Sequence, residues 1–141
     1  MKIPYEKLIT ESIKARENSY CPYSKFAVGA ALFTRSGKIF TGCNVENAAF
    51  SPANCAERTA VFKAVSEGET DFEAIAVCGG FSGKPISEIC PPCGVCRQVL
   101  SEFVTPGEFT VIMAYSETEY ETATLDELLP RSFKPDNLPG K

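Results

Sequence analysis

Residues 72–80, Phe-Glu-Ala-Ile-Ala-Val-Cys-Gly-Gly, form a nearly continuous apolar run of strand length. A strand that does not alternate apolar with polar is buried on both faces, so the rest of the chain has to supply helices to cover it. The flanking sequence does so. Pro4 and the spacing of Tyr5, Leu8, Ile9 and Ile13 predict a surface helix from Pro4 to about Ser19. Residues 26–34 and 38–46, joined by Arg-Ser-Gly-Lys, read as a hairpin. A second helix fits 55–67, with Ala56, Ala60, Val61, Ala64 and Val65 on one face and Gly68 as its stop. Pro92 stands where a first helical residue would, opening a third helix over 92–103. Residues 109–115 and 119–124 read as strands and 125–129 as a brief helix before a Pro-rich tail. Helices alternating with strands imply right-handed crossovers and parallel pairing, and the two hairpins add antiparallel edges. The expected fold is α/β, a mixed sheet covered by helices.

A chain of 141 residues is the size of one domain, so 1–141 is expected to form a single unit. Apolar runs such as Phe-Ala-Val-Gly-Ala-Ala-Leu-Phe fall far short of a bilayer span. The N-terminal stretch is charged and amphipathic, unlike a secretory signal. A cytoplasmic protein without membrane contact is expected. The formal charge is −4, and Lys and Arg are scattered rather than clustered. That distribution cannot track a phosphate backbone, which argues against a nucleic-acid polymer as partner.

The chain has no histidine but seven cysteines, an odd number that no disulfide framework pairs completely. In a reducing compartment they point to metal or thiolate chemistry. Cys93 and Cys96, three apart at a predicted helix start, project from one face and can meet one ion. Alone, that pair suits a redox dithiol or half of a structural zinc site about as well as a catalytic one. Cys55, at another predicted helix start, can add a third thiolate, and two helix N-termini would lower the thiol pKa values. Three cysteines and a water make an open catalytic zinc site, whereas Cys90 as a fourth would close it into a structural module. Pro91 and Pro92 hold Cys90 in an extended segment that can point it elsewhere. Glu57 also has two readings. Asn54-Cys-Ala-Glu57 has capping-box spacing. Alternatively, a carboxylate two residues after a metal ligand can take a proton from an activated water and hand it to a substrate nitrogen.

Cys-Ala-Glu followed by Pro-Cys-x-x-Cys resembles the zinc deaminase signature in its three-cysteine form. With Cys-Pro-Tyr-Ser-Lys-Phe-Ala-Val-Gly-Ala-Ala-Leu, Gly-Cys-Asn-Val-Glu-Asn-Ala-Ala-Phe-Ser and Pro-Cys-Gly-Val-Cys-Arg-Gln-Val, the chain resembles the small homotetrameric cytidine deaminases from about Ser19 to Phe133. The resemblance implies a three-layer arrangement around a mixed five-stranded sheet. It implies one zinc per chain on Cys55, Cys93 and Cys96, with Glu57 as proton shuttle and Arg58 and Arg97 donating to the thiolates. Asn44 and Glu46, two apart in a predicted strand, would bind the ribose hydroxyls, Phe26 would meet the pyrimidine ring, and the Ala56 backbone its polar edge. Phe133, in a tail of about 130–141, would reach a neighbouring subunit's site in a homotetramer. The implied reaction is hydrolytic deamination of cytidine and 2′-deoxycytidine to the uridine products and ammonia, in pyrimidine salvage. A deaminase of another small amine is the nearest alternative. Phe50 stands where many members have tyrosine, and Cys43 and Cys90 lie outside the family's motif.

Overall fold

The apolar run becomes β3, Phe72–Phe81, the middle strand of a five-stranded sheet. The other strands are β1 (Phe26–Thr34), β2 (Ile39–Cys43), β4 (Thr110–Ala114) and β5 (Tyr120–Thr124), in the order β2-β1-β3-β4-β5. These positions come from a computed structural model that describes residues 2–138. Residues 139–141 of the expected tail lie outside the described residues. β1 is antiparallel to both β2 and β3, β3 is parallel to β4, and β4 turns back antiparallel into β5.

Side-chain alternation divides the core between the two faces of the sheet. On one face Ala31, Phe33, Ala74, Ala76, Cys78, Ile112 and Ala114 pack with Leu8 and Ile9 of α1, Tyr5–Ala15. On the other, Ala30, Leu32, Ile75, Val77, Val111 and Met113 pack with Ala56, Ala60, Val61 and Ala64 of α2 (Ala56–Ser66) and Leu100 of α3 (Gly94–Ser101). A fourth helix, Leu125–Leu128, buries Leu125 in the same face under a Thr124/Glu127 capping box. The expected three layers are therefore present.

Two glycines let the helices come close. A Cβ on Gly29 would lie 1.9 Å from Ser12 O in α1, and one on Gly42 would lie 2.4 Å from Ala56 O in α2. Each glycine faces the layer that needs the space.

Element ends depart from the sequence expectation in two places. The strand expected over 38–46 stops at Cys43, because the Asn44 side chain turns onto β1, accepting from Val28 N (2.9 Å) and donating to Phe26 O (2.8 Å). Pro92 is not the first residue of α3. Cys93 is its N-cap, with the sulfur accepting from the Cys96 N–H, and the helix begins at Gly94.

Candidate metal centre

α2 follows β2 and α3 follows β3, and the helices start side by side. Cys55 is the N-cap residue of α2 and Cys93 that of α3, so the positive ends of both helix dipoles meet at one cluster of sulfurs. Cys55 Sγ is 3.5 Å from Cys93 Sγ, which lies 3.1 Å from Cys96 Sγ. All three lie within 4.8 Å of one another, the one metal-ligating cluster of this kind among the described residues. Tetrahedral zinc with Zn–S bonds of about 2.3 Å separates its sulfurs by about 3.8 Å, so the cluster fits that ion after opening slightly.

The electrostatics of the cluster also call for a cation. Cys55 is held down to about 5, first by a hydrogen bond from Cys96 and then by Arg58 and Cys93. Cys96 is driven strongly upward by the same contact with Cys55 and by burial. One negative charge thus suppresses the next, and a cation is needed for all three thiols to ionise. Arg58 Nη2 donates to Cys55 Sγ at 3.4 Å, while its buried Nε has no partner among the described residues.

Cys90 stays outside the cluster. Only Cys55, Cys93 and Cys96 bring their sulfurs within 4.8 Å of one another, while Cys90 lines the cavity wall, where burial pushes its thiol up to about 11. The closed four-cysteine site is therefore not what these residues build.

Glu57 is 3% exposed and lies on the cavity beside the sulfurs. It is the second residue of α2, whereas a capping box needs the third, and α2 has no side-chain cap. Asn54 instead donates to Thr59 Oγ1. Burial first, then the charge on Cys55, raises the Glu57 pKa, while backbone N–H groups oppose the rise. A carboxyl in that environment can both take and return a proton.

The cavity beside the cluster measures about 330 Å³ and includes Asn44, Glu46, Ala56, Glu57, Cys90 and Pro91 in its lining. Asn44 and Glu46 lie past the end of β2, yet they still flank Val45, which is bridged to Tyr20 and to Asn54. Glu46 accepts from Tyr23 N, Ser24 N and Ser24 Oγ, and these bonds hold its pKa below the usual carboxylate value. Arg97 departs from the expected thiolate contact. Its Nε donates to Pro92 O and its Nη1 to Leu128 O, both at 2.7 Å, fixing the loop and the end of the fourth helix instead of sulfur. Phe26 stands outside the cavity lining, edge-on to Phe81 with ring centres 5.8 Å apart. Phe133 is 58% exposed, and only its carbonyl is engaged, by Gln98 Nε2. A hollow of about 400 Å³ near Arg35, Asp71 and Glu73 holds paired charges and no ligand cluster.

The family model for the cytidine and deoxycytidylate deaminase zinc-binding region matches residues 3–113. The chain belongs to the cytidine deaminase family. Membership makes it a hydrolytic deaminase with zinc as cofactor, in agreement with the three-cysteine cluster. It is 51% identical over 133 residues to the cytidine deaminase of Sporosarcina psychrophila, covering 94% of this chain and 93% of that one. Identity to the cytidine deaminase of Mycobacterium tuberculosis is 34% over 137 residues, covering 97% and 95%. The crystal structure of the Burkholderia pseudomallei cytidine deaminase superposes with a TM-score of 0.82 at 42% identity, over 93% of this chain and 100% of that one.

The sequence pattern did not single out the cavity-lining role of Cys90 and Pro91. Their only signal was an unexplained thiol beside two prolines.

Proposed function

We propose that the protein hydrolyses cytidine and 2′-deoxycytidine to uridine and 2′-deoxyuridine, releasing ammonia, in the cytoplasm as a step of pyrimidine salvage. The observation that carries this reading is a buried carboxyl, Glu57, on a cavity beside a three-thiol metal cluster. Zinc, when held by Cys55, Cys93 and Cys96, supplies the Lewis acidity that makes water a nucleophile at neutral pH. Glu57 takes one proton from that water as its oxygen bonds to C4 of the ring, and delivers it to N3. It carries the water's second proton to the amino group, the C4–N bond breaks and ammonia leaves. Burial keeps the shuttle out of bulk solvent, and its raised pKa suits it to give back each proton it accepts.

Sugar recognition falls to Asn44 and Glu46. Asn44 has given one carbonyl lone pair and one N–H to β1, leaving one N–H as donor and one lone pair as acceptor. Glu46 has three bonds to residues 23–24 and, of about four lone-pair sites, keeps one as acceptor. Together they keep one donor and two acceptors for the ribose hydroxyls, and a sugar without the 2′-hydroxyl still finds partners for its 3′-hydroxyl. The Ala56 backbone at the start of α2 faces the base's polar edge, and Phe26 backs the wall against which the ring lies. Arg58 offsets thiolate charge, while Arg97 holds the Pro92 carbonyl next to Cys93. Phe133 covers the base in a neighbouring subunit of a homotetramer, and its exposed ring supports that assignment.

The test is the fall in ultraviolet absorbance when cytidine, 2′-deoxycytidine, cytosine, adenosine and cytidine monophosphate are each added to zinc-loaded protein. Turnover of the two cytidine nucleosides alone is expected. Turnover of another amine without them would overturn the substrate assignment.

A further inference from the structure

The reaction as derived leaves one half-buried cation unused. Arg16, in the 3-10 turn Arg16–Asn18 after α1, donates from Nε to Ala27 O at 2.9 Å. Its Nη2 is shared among Gly80 O (2.9 Å), Phe81 O (2.9 Å) and Lys84 O (3.0 Å). Among the described residues it has no carboxylate partner, so four carbonyl dipoles hold the charge. These carbonyls mark one place in the fold. Ala27 pairs with Gly80 where β1 begins and β3 ends, and Lys84 lies just beyond in the loop that leads to Cys93.

Besides the bonds of Ser82 N to Lys25 O (2.7 Å) and Lys84 N to Phe81 O (3.1 Å) at its start, that loop has little else to hold it. Among the described residues, no hydrogen bond engages any residue from 85 to 91. Arg16 on Lys84 O fixes one end and Arg97 on Pro92 O the other, with Ile86 and Ile89 packed against the cores on opposite sheet faces. Between the two arginines lie Cys90 and Pro91, which wall the cavity. The Cys90 sulfur rests over Gly79, next to the glycine whose carbonyl Arg16 holds, and a Cβ on Gly79 would come within 2.8 Å of it.

We propose that Arg16 is a positioning residue for the deamination. It sets the 82–92 loop so that Cys90 and Pro91 stand where the substrate needs a wall. The proposal rests on the cytidine reading above for its kinetic part only. A planar guanidinium can span carbonyls from β1, β3 and the loop at once, which the point charge of lysine cannot. A wall displaced by about 1 Å can reduce turnover efficiency by up to about a hundredfold even when the chemical groups are intact.

The test uses zinc-loaded wild-type, Arg16→Ala and Arg16→Lys proteins, well below their melting temperatures. Labelling of Cys90 by N-ethylmaleimide, followed by peptide mass mapping, reports the loop without any substrate. In Arg16→Ala the labelling rate and the KM for cytidine should each rise about tenfold, with kcat per bound zinc within about threefold of wild type. Arg16→Lys should fall between. If Arg16→Ala does not fold, Arg16→Lys is judged by the same two readouts. Labelling and KM at wild-type values, with only a lower melting temperature, would make Arg16 merely structural and overturn the proposal. Faster labelling in a protein whose wild type does not turn over cytidine would support the clamp and overturn the substrate reading instead.

Discussion

Glu57 shows how much one residue's setting decides. Its position two residues after Cys55 was plain in the sequence, but that spacing fitted a helix cap as well as a proton shuttle. Geometry removes the capping box, because Cys55 rather than Asn54 is the N-cap residue of α2 and Glu57 falls at the second helical position. The three-cysteine ligand set was legible through the family resemblance, because thiols at helix starts alone also suit a redox dithiol or a structural zinc site. The partners of Arg97 were not, since nothing in the local sequence says which carbonyls or sulfurs a long side chain will find. Cys90 lies on the cavity wall and not in the metal cluster. Cys90→Ser should therefore keep about one zinc per chain by metal analysis, where a four-cysteine site closing around the ion would lose it. Arg58 offers a graded test. With its bond to Cys55 removed, Arg58→Ala should bind zinc about 10- to 100-fold more weakly in competition with a chromogenic chelator.

The elements follow the sequence most closely where their hydrophobic pattern is continuous. β1 occupies its expected 26–34, and α2 lies within one residue of each expected end. They diverge where a side chain replaces a backbone partner. Asn44 ends β2 by bonding to β1, and the Cys93 sulfur starts α3 by accepting a backbone N–H. Gly42 shows how element packing reaches the site, since its missing side chain lets the first turn of α2 settle on β2. A Cβ there would stand 2.4 Å from Ala56 O and 2.6 Å from Ala60 N. Gly42→Ala should cost about 1–3 kcal/mol in urea denaturation, as overpacking does, and weaken zinc binding by shifting Cys55.

At the scale of the whole molecule, the metal centre ties two helices on one face of the sheet to each other. A ligand that binds only the folded chain stabilises it by mass action, about 4 kcal/mol at a thousandfold excess over Kd. For a chain this long, chelation should then lower Tm by about 10 °C in a thermal melt, reversed by added zinc. The homotetramer is proposed from family resemblance alone, because contacts between subunits leave no periodicity in a single chain. The exposed rings of Phe50 (97%) and Phe133 (58%) fit our proposal of shared sites. The most direct measurement of the central claim is cytidine turnover by Glu57→Gln protein, with zinc assayed in the same sample. We predict about one zinc per chain and a loss of at least about a hundredfold in kcat. A zinc-loaded Glu57→Gln protein that turns over cytidine at the wild-type rate would contradict the account.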